Sequence, residues 1–326
     1  MHRPLIFLAL VVSLCIMTPE MTVAQAPLTP PKPYDTTLFT AIRSGDATAL
    51  QQQLDRGADP NATQNGISAL EVATLAGTPQ QMKLLLARGA KPNYADDDGI
   101  TALFLAIPDT EKTILLLDHG ADPNQHSKAN YSALIKLANC PGTTDLLRTL
   151  IAKGADPKQA ARDNALLYWA AGTDDTTLVG FILRLGFNAN DTVLSGDYPI
   201  NSALAYRCSN TLKMLVDHGA DVNVRLPDVF LPNIRGMTAL MQAAVADDEA
   251  SFFYLLDHGA DVHARCKTGY TALMLAQLSE TDHPAITKAL LVHGAKVADK
   301  SPTGENAISL AAKKGNTESL RLLKQQ

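Results

Sequence analysis

Apolar residues recur along this chain at the three- and four-residue spacing of helices that bury one face. Leu38, Ala41 and Ile42 form one apolar stripe, and Leu50 and Leu54 form the next. This spacing predicts two short amphipathic helices joined by a tight turn. A glycine follows the second helix of most such pairs, because glycine adopts the left-handed backbone conformation that closes a helix. These glycines are Gly57, Gly89, Gly120, Gly154, Gly186, Gly219, Gly259 and Gly294.

A second marker gives the number of pairs. Most first helices open with a small residue, an alanine and a leucine, and the sixth opens with Tyr-Pro-Ile. The residues at the third position are Leu38, Leu70, Leu103, Leu134, Leu167, Ile200, Leu240, Leu273 and Ile308. They predict nine successive repeats with a period of about 33 residues. In the fifth repeat Leu166 also fits, but Leu167 is favoured because it places Ala170 and Ala171 at close-packed positions, directly after Trp169.

The repeats resemble the ankyrin repeat, and the seventh repeat shows this best. Residues 236–240 read Gly-Met-Thr-Ala-Leu, and residues 255–262 read Leu-Leu-Asp-His-Gly-Ala-Asp-Val. The resemblance covers about residues 35–326, the predicted ankyrin repeat domain. It implies an all-α solenoid of about nine stacked repeats, each a helix-turn-helix with a hairpin loop. Because every repeat buries its apolar face only against its neighbours, we expect one elongated domain.

Several positions depart from the family's pattern. Alanine replaces its proline in most repeats, as at Ala102, whereas Pro199 keeps it. The family's histidine after the leucine is absent, and Lys158 stands where the fourth repeat would end in asparagine. Pro108 falls where the first helix of the shortened third repeat should end. We therefore expect a less ideal array, with a local bend in the third repeat.

The first 26 residues have the pattern of a cleavable signal peptide. A positive start that includes Arg3 precedes an apolar run from Leu5 to Met17, and a polar stretch follows. The run is shorter than the roughly 20 residues of a spanning helix, so we expect no stable membrane insertion after cleavage. Cleavage after Ala26 and cleavage after Ala24 both fit the sequence.

Residues 27–34 form a proline-rich linker, since prolines favour extended polyproline geometry and disrupt helices. Over the whole chain, hydrophobic residues make up 46% and charged residues 19%, which is the balance of a folded protein. The net charge is -5, and the basic residues are scattered. We expect no nucleic-acid binding, because that requires a concentrated basic face.

Three cysteines follow the predicted signal peptide, and they lie in different repeats. An odd number leaves at least one thiol free in an oxidising compartment. The spacing between stacked repeats also places them too far apart to form a disulfide. We therefore expect free thiols without a role. These residues are Cys140, Cys208 and Cys266.

No catalytic or phosphate-binding motif occurs in the chain, so the sequence predicts neither an enzyme nor a cofactor. Four histidines directly precede helix-ending glycines, but stacked repeats would hold them too far apart to share a metal ion. We expect them to contact the carbonyl groups at the helix C-termini. They are His119, His218, His258 and His293. Residues 96–99 read Asp-Asp-Asp-Gly, which fits a hairpin turn better than a calcium loop.

One inter-repeat loop is lengthened. Gly219 and Gly259 lie 40 positions apart, and the extra residues map to 226–232, which read Leu-Pro-Asp-Val-Phe-Leu-Pro. Insertions in solenoids go to loops, and such loops commonly bind partners. This finger either folds back onto its neighbouring hairpin or contacts another protein.

In ankyrin proteins, partners bind the hairpin tips and the exposed side of the first helices, which form a concave surface. The resemblance therefore implies a protein partner at these positions. The candidate residues are Asp98, Tyr131, Arg162, Tyr206, Phe230, Arg235, Met237 and Tyr270. Aromatic, methionine and arginine side chains are enriched at interface cores. We expect the three tyrosines, the methionine and the phenylalanine among them to line one strip.

These features predict an exported bacterial protein of the periplasm that binds another protein through its concave face and the 226–232 finger. It is expected to be a monomer and to act as an accessory or protective factor without catalysis. Two alternatives stay open. One is an immunity protein that neutralises a delivered toxin, which would fit an acidic surface facing a basic toxin. The other is a secreted ankyrin effector directed at a host.

Overall fold

The computed structural model describes residues 36–160, 165–225, 236–279 and 281–326. The predicted signal peptide and linker, and the 226–232 finger, lie outside these residues. The described residues group into two compact units, one containing residues 36–160 and the other residues 165–326. In each unit, short helices follow one another in pairs, so the predicted all-α repeat architecture is confirmed.

The first unit contains four helix pairs within its described residues, and a short helix follows the fourth. One two-stranded antiparallel sheet, β1 with β2, forms the hairpin between the first two pairs and aligns Thr63 with Ser68 and Gln64 with Ile67. The elements are α1 (Thr36–Arg43), α2 (Ala47–Asp55), β1 (Thr63–Gln64), β2 (Ile67–Ser68), α3 (Ala69–Ala76), α4 (Pro79–Ala87), α5 (Ala102–Ala106), α6 (Thr110–Asp118), α7 (Ala133–Ala138), α8 (Thr144–Ala152) and α9 (Pro157–Ala160).

The second unit contains five helix pairs within its described residues. Isolated bridges such as Arg265 with Thr271 mark the hairpins that precede their first helices. The helices are α10 (Ala165–Ala171), α11 (Thr176–Arg184), α12 (Pro199–Ala205), α13 (Ser209–Asp217), α14 (Ala239–Val245), α15 (Glu249–Asp257), α16 (Ala272–Ala276), α17 (Pro284–Val292), α18 (Ala307–Lys314) and α19 (Thr317–Leu323).

Side chains at the helix starts explain where the first helices begin. The hydroxyl of Thr101 accepts a hydrogen bond from the Phe104 backbone N–H at 3.3 Å. Ser68 caps α3 in the same way, and Glu71 reaches back to the Ser68 N–H to complete a capping box. Such caps satisfy backbone donors that have no partner inside the helix. Side-chain caps therefore stabilise the N-termini of these first helices, although the family's histidine is absent.

Leucines from successive helices form the core of each unit. Leu38 and Leu50 in the first unit, and Leu240 and Leu255 in the second, are completely buried. Leu166 and Leu167 are both buried, and Ala170 and Ala171 have no exposed surface, in keeping with the favoured register. First helices pack against the first helices of adjacent pairs, as α10 packs on α12.

An asparagine side chain ties many repeats to the next one. Asn223 donates from Nδ2 to the carbonyl oxygen of Gly259 at 3.2 Å and accepts the backbone N–H of Asp261 at 2.8 Å. We call this two-bond contact the asparagine clasp. Lys158, His263 and Ala298 occupy the same sequence position in other repeats. The clasp residues are Asn61, Asn93, Asn124, Asn190 and Asn223.

Candidate interaction surface

Three aromatic residues lie on or directly after the first helices of two adjacent repeats in the second unit. Tyr168 and Trp169 lie on α10, with ring centroids 5.4 Å apart and planes nearly perpendicular at 84°. Tyr206 follows α12, which packs against α10, and 39% of its surface is exposed. We call Tyr168, Trp169 and Tyr206 the aromatic ledge.

Gly172 brings the two helices close enough to form this ledge. A Cβ atom at Gly172 would lie 2.8 Å from a ring carbon of Tyr206 and 2.8 Å from the Ser202 hydroxyl oxygen. Contacts this short do not occur between real side chains, so the Tyr206 ring takes the space that a larger residue would fill. The aromatic ledge therefore depends on the absence of a side chain one turn after Trp169.

The aromatic ledge carries three side-chain groups that can donate hydrogen bonds, the Trp169 indole N–H and the hydroxyls of Tyr168 and Tyr206. Tyr168 and Trp169 are half-buried, and Tyr206 is exposed. Burial raises the pKa of Tyr168, with a further rise from the nearby Asp197 charge. Burial also raises the pKa of Tyr206. Both phenols therefore stay protonated at neutral pH and are available as donors.

An apolar pocket of the same unit is lined by Ala205 and Arg207, the residues on either side of Tyr206 in the sequence. Its volume is about 190 Å³, and its walls come from α12, α14 and the residues beside them. Gln242 is 4% exposed, and its Oε1 atom has no hydrogen-bond partner in the described part of the chain. Arg207 donates a hydrogen bond to the Ala246 carbonyl oxygen at the end of α14. The lining residues are Leu204, Ala205, Arg207, Met237, Gln242, Val245 and Ala246.

The candidate residues from the sequence fall at different places. Asp98 is exposed at a hairpin of the first unit, where its carbonyl oxygen accepts the Lys128 N–H at 2.8 Å. Tyr131 lies half-buried in that neighbouring hairpin. In the second unit, Tyr270 is half-buried, and its hydroxyl donates to Glu305 at 3.0 Å. Arg162, Phe230 and Arg235 lie outside the described residues.

Tyr206 and Met237 differ in exposure: Tyr206 is on the surface, whereas Met237 is buried in the wall of the pocket. Tyr206 belongs to the aromatic ledge and is exposed. Met237 is only 4% exposed and forms a wall of the adjoining pocket. The turn position predicted a surface side chain, whereas the packing between α12 and α14 turns Met237 inward. A partner would therefore meet Met237 only through the pocket.

Tyr168 and Trp169 are site residues that the sequence-based selection left out. That selection used the turn positions beside the hairpin glycines. The two aromatic residues instead lie within a first helix, between Leu167 and Ala170, where both are half-buried. Two adjacent aromatic residues before a double alanine are unusual in this chain, and that signal could have identified them.

The four histidines behave as the sequence predicts. In each, Nδ1 lies 2.8 Å from the carbonyl oxygen four residues earlier, at the end of a second helix. Within the part of the chain that the structure describes, no group of three or more histidine, cysteine or acidic residues is placed to hold a metal ion. Asp96 accepts the backbone N–H groups of Asp98 and Ile100, as expected for a turn.

The three cysteines of the described residues are free and buried. Burial raises the pKa of Cys208 to about 11, so its thiol stays protonated at neutral pH. Protonated thiols are poor nucleophiles.

Across residues 36–160, 165–225, 236–279 and 281–326, no helix has the length and apolar character to cross a membrane.

Paired helices that repeat, glycine-ended second helices and asparagine clasps define an α-helical repeat protein. Its candidate site is a surface formed by neighbouring repeats. The chain belongs to the ankyrin-repeat family, whose model matches residues 38–127 and 225–300. Ankyrin repeats are modules for protein–protein interaction.

Several curated proteins are similar in sequence to parts of this chain. The E3 ubiquitin-protein ligase KEG of Arabidopsis thaliana is 25% identical over 60% of this chain and 15% of its own length. A putative ankyrin repeat-containing protein of Treponema pallidum is 37% identical over 32% of this chain and 37% of its own length. Human ankyrin repeat and SOCS box protein 16 is 25% identical over 72% of this chain and 54% of its own length. The chain thus spans well under two thirds of each.

Proposed function

We propose that this protein is exported to the periplasm and binds another protein through the aromatic ledge and the adjoining pocket of its second unit. Membership of a family of interaction modules supports the binding role. The observation that carries the location is the aromatic ledge, in which Tyr206 is 39% exposed and Tyr168 and Trp169 are half-buried. Aromatic residues beside an apolar pocket are the usual anchors of protein interfaces.

We propose an accessory or protective role without a catalytic step, since no catalytic motif occurs in the chain. Binding would seat an apolar side chain of the partner in the pocket beside Leu204 and Val245. Polar groups of the partner would then satisfy the ledge donors. A buried amide such as Gln242 discriminates between partners, because an unmatched acceptor in an interface costs about 1–3 kcal/mol.

Capture from native envelope extract tests the binding site. The mature protein should enrich one dominant protein, and Trp169→Ala and Tyr206→Ala should each abolish that enrichment. Phe253→Ala is the matched control, because Phe253 is a comparably exposed aromatic residue, at 36%, on the second helix α15. Equal capture by all four proteins would exclude the ledge as the site.

The sequence-predicted finger needs its own variant. Deletion of residues 226–232 should weaken capture if the finger contacts the partner, and it should leave capture unchanged if the ledge alone binds. A photoreactive amino acid at position 206 should crosslink to the same protein that the intact chain captures. The same substitution at position 253 should not.

Export is tested separately from binding. We expect the mature protein in the periplasmic fraction, with an N-terminus at Gln25 or Pro27, as read by N-terminal sequencing. Leu10→Arg places a charge in the apolar run and should hold the protein in the cytoplasm. An uncleaved protein in the cytoplasm of the wild-type strain would overturn the proposed location.

A further inference from the structure

The pocket between α12 and α14 combines apolar walls with two polar side chains. Leu204, Met237 and Val245 are among its apolar residues, and Arg207 and Gln242 are its polar ones. Its volume of about 190 Å³ exceeds the roughly 150 Å³ of an engineered cavity that binds benzene. The pocket can therefore take one aliphatic or aromatic side chain, while the two polar residues fix the orientation of the ligand.

Arg207 brings a guanidinium to this pocket from an uncommon backbone position. Its φ angle is 57°, in the left-handed region that favours glycine. The side chain is exposed and donates a hydrogen bond from Nη2 to the carbonyl oxygen of Ala246. That bond does not use the N–H groups on Nε and Nη1. A guanidinium binds a carboxylate through two parallel N–H···O bonds, so Arg207 favours a ligand that carries a carboxylate.

Gln242 adds an acceptor to the same pocket. It is 4% exposed, and its Oε1 atom has no hydrogen-bond partner among the described residues. A buried acceptor without a partner is unfavourable, so a ligand that brings an N–H group gains a hydrogen bond here. The glutamine side chain is flexible, which lets its amide turn toward a ligand in the pocket.

The acidic residues that follow Ala246 are engaged within the fold. Asp247 Oδ1 lies 2.7 Å from Nε2 of His283. Asp248 Oδ1 accepts the backbone N–H of Ser251 at 3.1 Å and so caps α15. Arg207 therefore remains the charged group of the pocket lining, and the lining is complementary to an anion.

The last residue of a polypeptide carries all three groups that the pocket selects. Its side chain, its free α-carboxylate and its backbone N–H are attached to the same Cα atom. An aspartate or glutamate inside a chain differs, because its carboxylate belongs to the side chain and cannot accompany an apolar side chain on that residue. Recognition of a C-terminal carboxylate is an established mode of peptide binding.

We propose that this pocket binds the C-terminus of the partner protein. An apolar last side chain occupies the pocket, its α-carboxylate pairs with Arg207, and its N–H donates to Gln242. This inference rests on the proposed function, because it names the part of the partner that the same site recognises.

Peptide pools test the three contacts separately. The full mature protein is immobilised and offered N-acetylated hexapeptides that end in leucine and have mixed residues elsewhere. Their α-carboxylate is free. One matched pool has a C-terminal amide, a second ends in N-methylleucine and lacks the last N–H, and a third ends in serine. Mass spectrometry of the retained peptides should show the first pool enriched at least about tenfold over each of the others.

Substitutions in the protein should remove these preferences one at a time. Arg207→Gly should retain the free and amidated pools equally, and it should fold because glycine adopts a φ of 57° without strain. Arg207→Gln should behave in the same way. Arg184→Gln is the matched control, at an exposed arginine of α11 outside the pocket lining, and should keep the preference for the free carboxylate.

Gln242→Leu should retain the leucine and N-methylleucine pools equally but still prefer the free carboxylate to the amide. A purely structural role for Gln242 would lower both preferences together. Thermal unfolding verifies that each variant is folded.

Equal retention of the free and amidated pools by the parent protein, or no retention of any pool, would overturn the inference. A preference for the free carboxylate that persists in Arg207→Gly would overturn it as well. The captured partner should also lose binding when one lysine is added after its last residue, and unchanged capture would contradict the proposal.

The outcome for the proposed function can be read separately. It survives each of these failures if Trp169→Ala and Tyr206→Ala still abolish capture of the partner. Selective retention of the free-carboxylate pool, together with unchanged capture by both variants, would instead exclude the aromatic ledge and leave the pocket as the binding site.

Discussion

Gly172 shows how one residue shapes the candidate site. A methyl group there would lie 2.8 Å from the Tyr206 ring and from the Ser202 oxygen. Gly180, on α11, is different, because its nearest atoms would be 3.5 Å away, an ordinary contact distance. Alanine substitutions at these two glycines are therefore expected to change stability in opposite directions.

We expect Gly172→Ala to displace the Tyr206 ring, to lower stability by about 1–3 kcal/mol and to weaken partner capture. Gly180→Ala should raise stability by about 0.5–1 kcal/mol, because alanine favours the helix. Urea unfolding of both variants measures the two changes. A Gly172→Ala protein with unchanged stability and capture would show that the ledge tolerates the extra methyl group.

Glu71 is a buried carboxyl in the first unit and is 1% exposed. Its Oε2 atom accepts the Ser68 N–H and the Ser68 hydroxyl, both at 2.7 Å, while Oε1 has no partner among the described residues. Burial raises the pKa of Glu71 above the ordinary 4.5. Protonated Glu71 therefore stabilises the fold below the unfolded-state pKa, and this contribution is lost as the pH rises through the folded-state pKa.

Glu71→Gln should accordingly raise the melting temperature at pH 7, since glutamine can keep the capping box without a buried charge. The difference in melting temperature between Glu71→Gln and the wild type should become smaller as the pH falls toward 4. Thermal unfolding at both pH values provides the measurement. Asp98→Asn, at an exposed carboxylate, serves as the control and should change little; a Glu71→Gln protein less stable than wild type at pH 7 would contradict this account.

At the scale of elements, the asparagine clasp joins one repeat to the next. Asn223 bonds both Gly259 and Asp261, whereas His263 stands at the equivalent position one repeat later. Gly294 and Lys296 are the residues that a clasp at position 263 would reach, by analogy with Gly259 and Asp261. The contact that follows position 263 therefore lacks the asparagine that forms the clasp one repeat earlier.

His263→Asn should create a clasp and stabilise the second unit by about 1 kcal/mol, whereas Asn223→Ala should remove one and cost about 1–2 kcal/mol. Hydrogen exchange at Lys296 and Asp261 locates each change. Unaltered protection of the Lys296 N–H in His263→Asn would mean that the new side chain does not reach its partners.

At the scale of the whole molecule, the helices of each unit contact mainly their neighbours along the chain. In the second unit, α15 packs against α13 and α17. Leu256 on α15 is 5% exposed and forms part of that core. Stability in such an array is approximately a sum of repeat terms and nearest-neighbour terms. A defect in one repeat should therefore reach the adjacent repeats first.

We expect Leu256→Ala to cost about 2–5 kcal/mol, because it leaves a cavity in the core. Hydrogen exchange should show loss of protection spreading from α15 to α13 and α17. Phe253→Ala, an exposed change on the same helix, should leave the pattern intact. If protection from hydrogen exchange were instead lost equally throughout the second unit, the unit would unfold as one cooperative block, and the nearest-neighbour description would be wrong.

Local chemistry allowed much of the fold to be predicted. The spacing of leucines, the closing glycines and the helix-capping residues act within one or two helical turns, so they are readable from the chain itself. The histidines at the helix ends were predicted for the same reason. The position of the Tyr206 ring beside Gly172 could not be predicted in this way, because it joins residues from two repeats and depends on the missing side chain at Gly172.

The sequence by itself determined the repeat, its helices and the family, because each repeat carries the same local signals. Only the tertiary structure decided which side chains reach the surface. It turned Met237 inward, placed the Tyr206 ring against Gly172, and buried Glu71 with an oxygen that has no partner among the described residues. These outcomes depend on the packing of one repeat against the next, which hydrophobic spacing along a single chain does not specify.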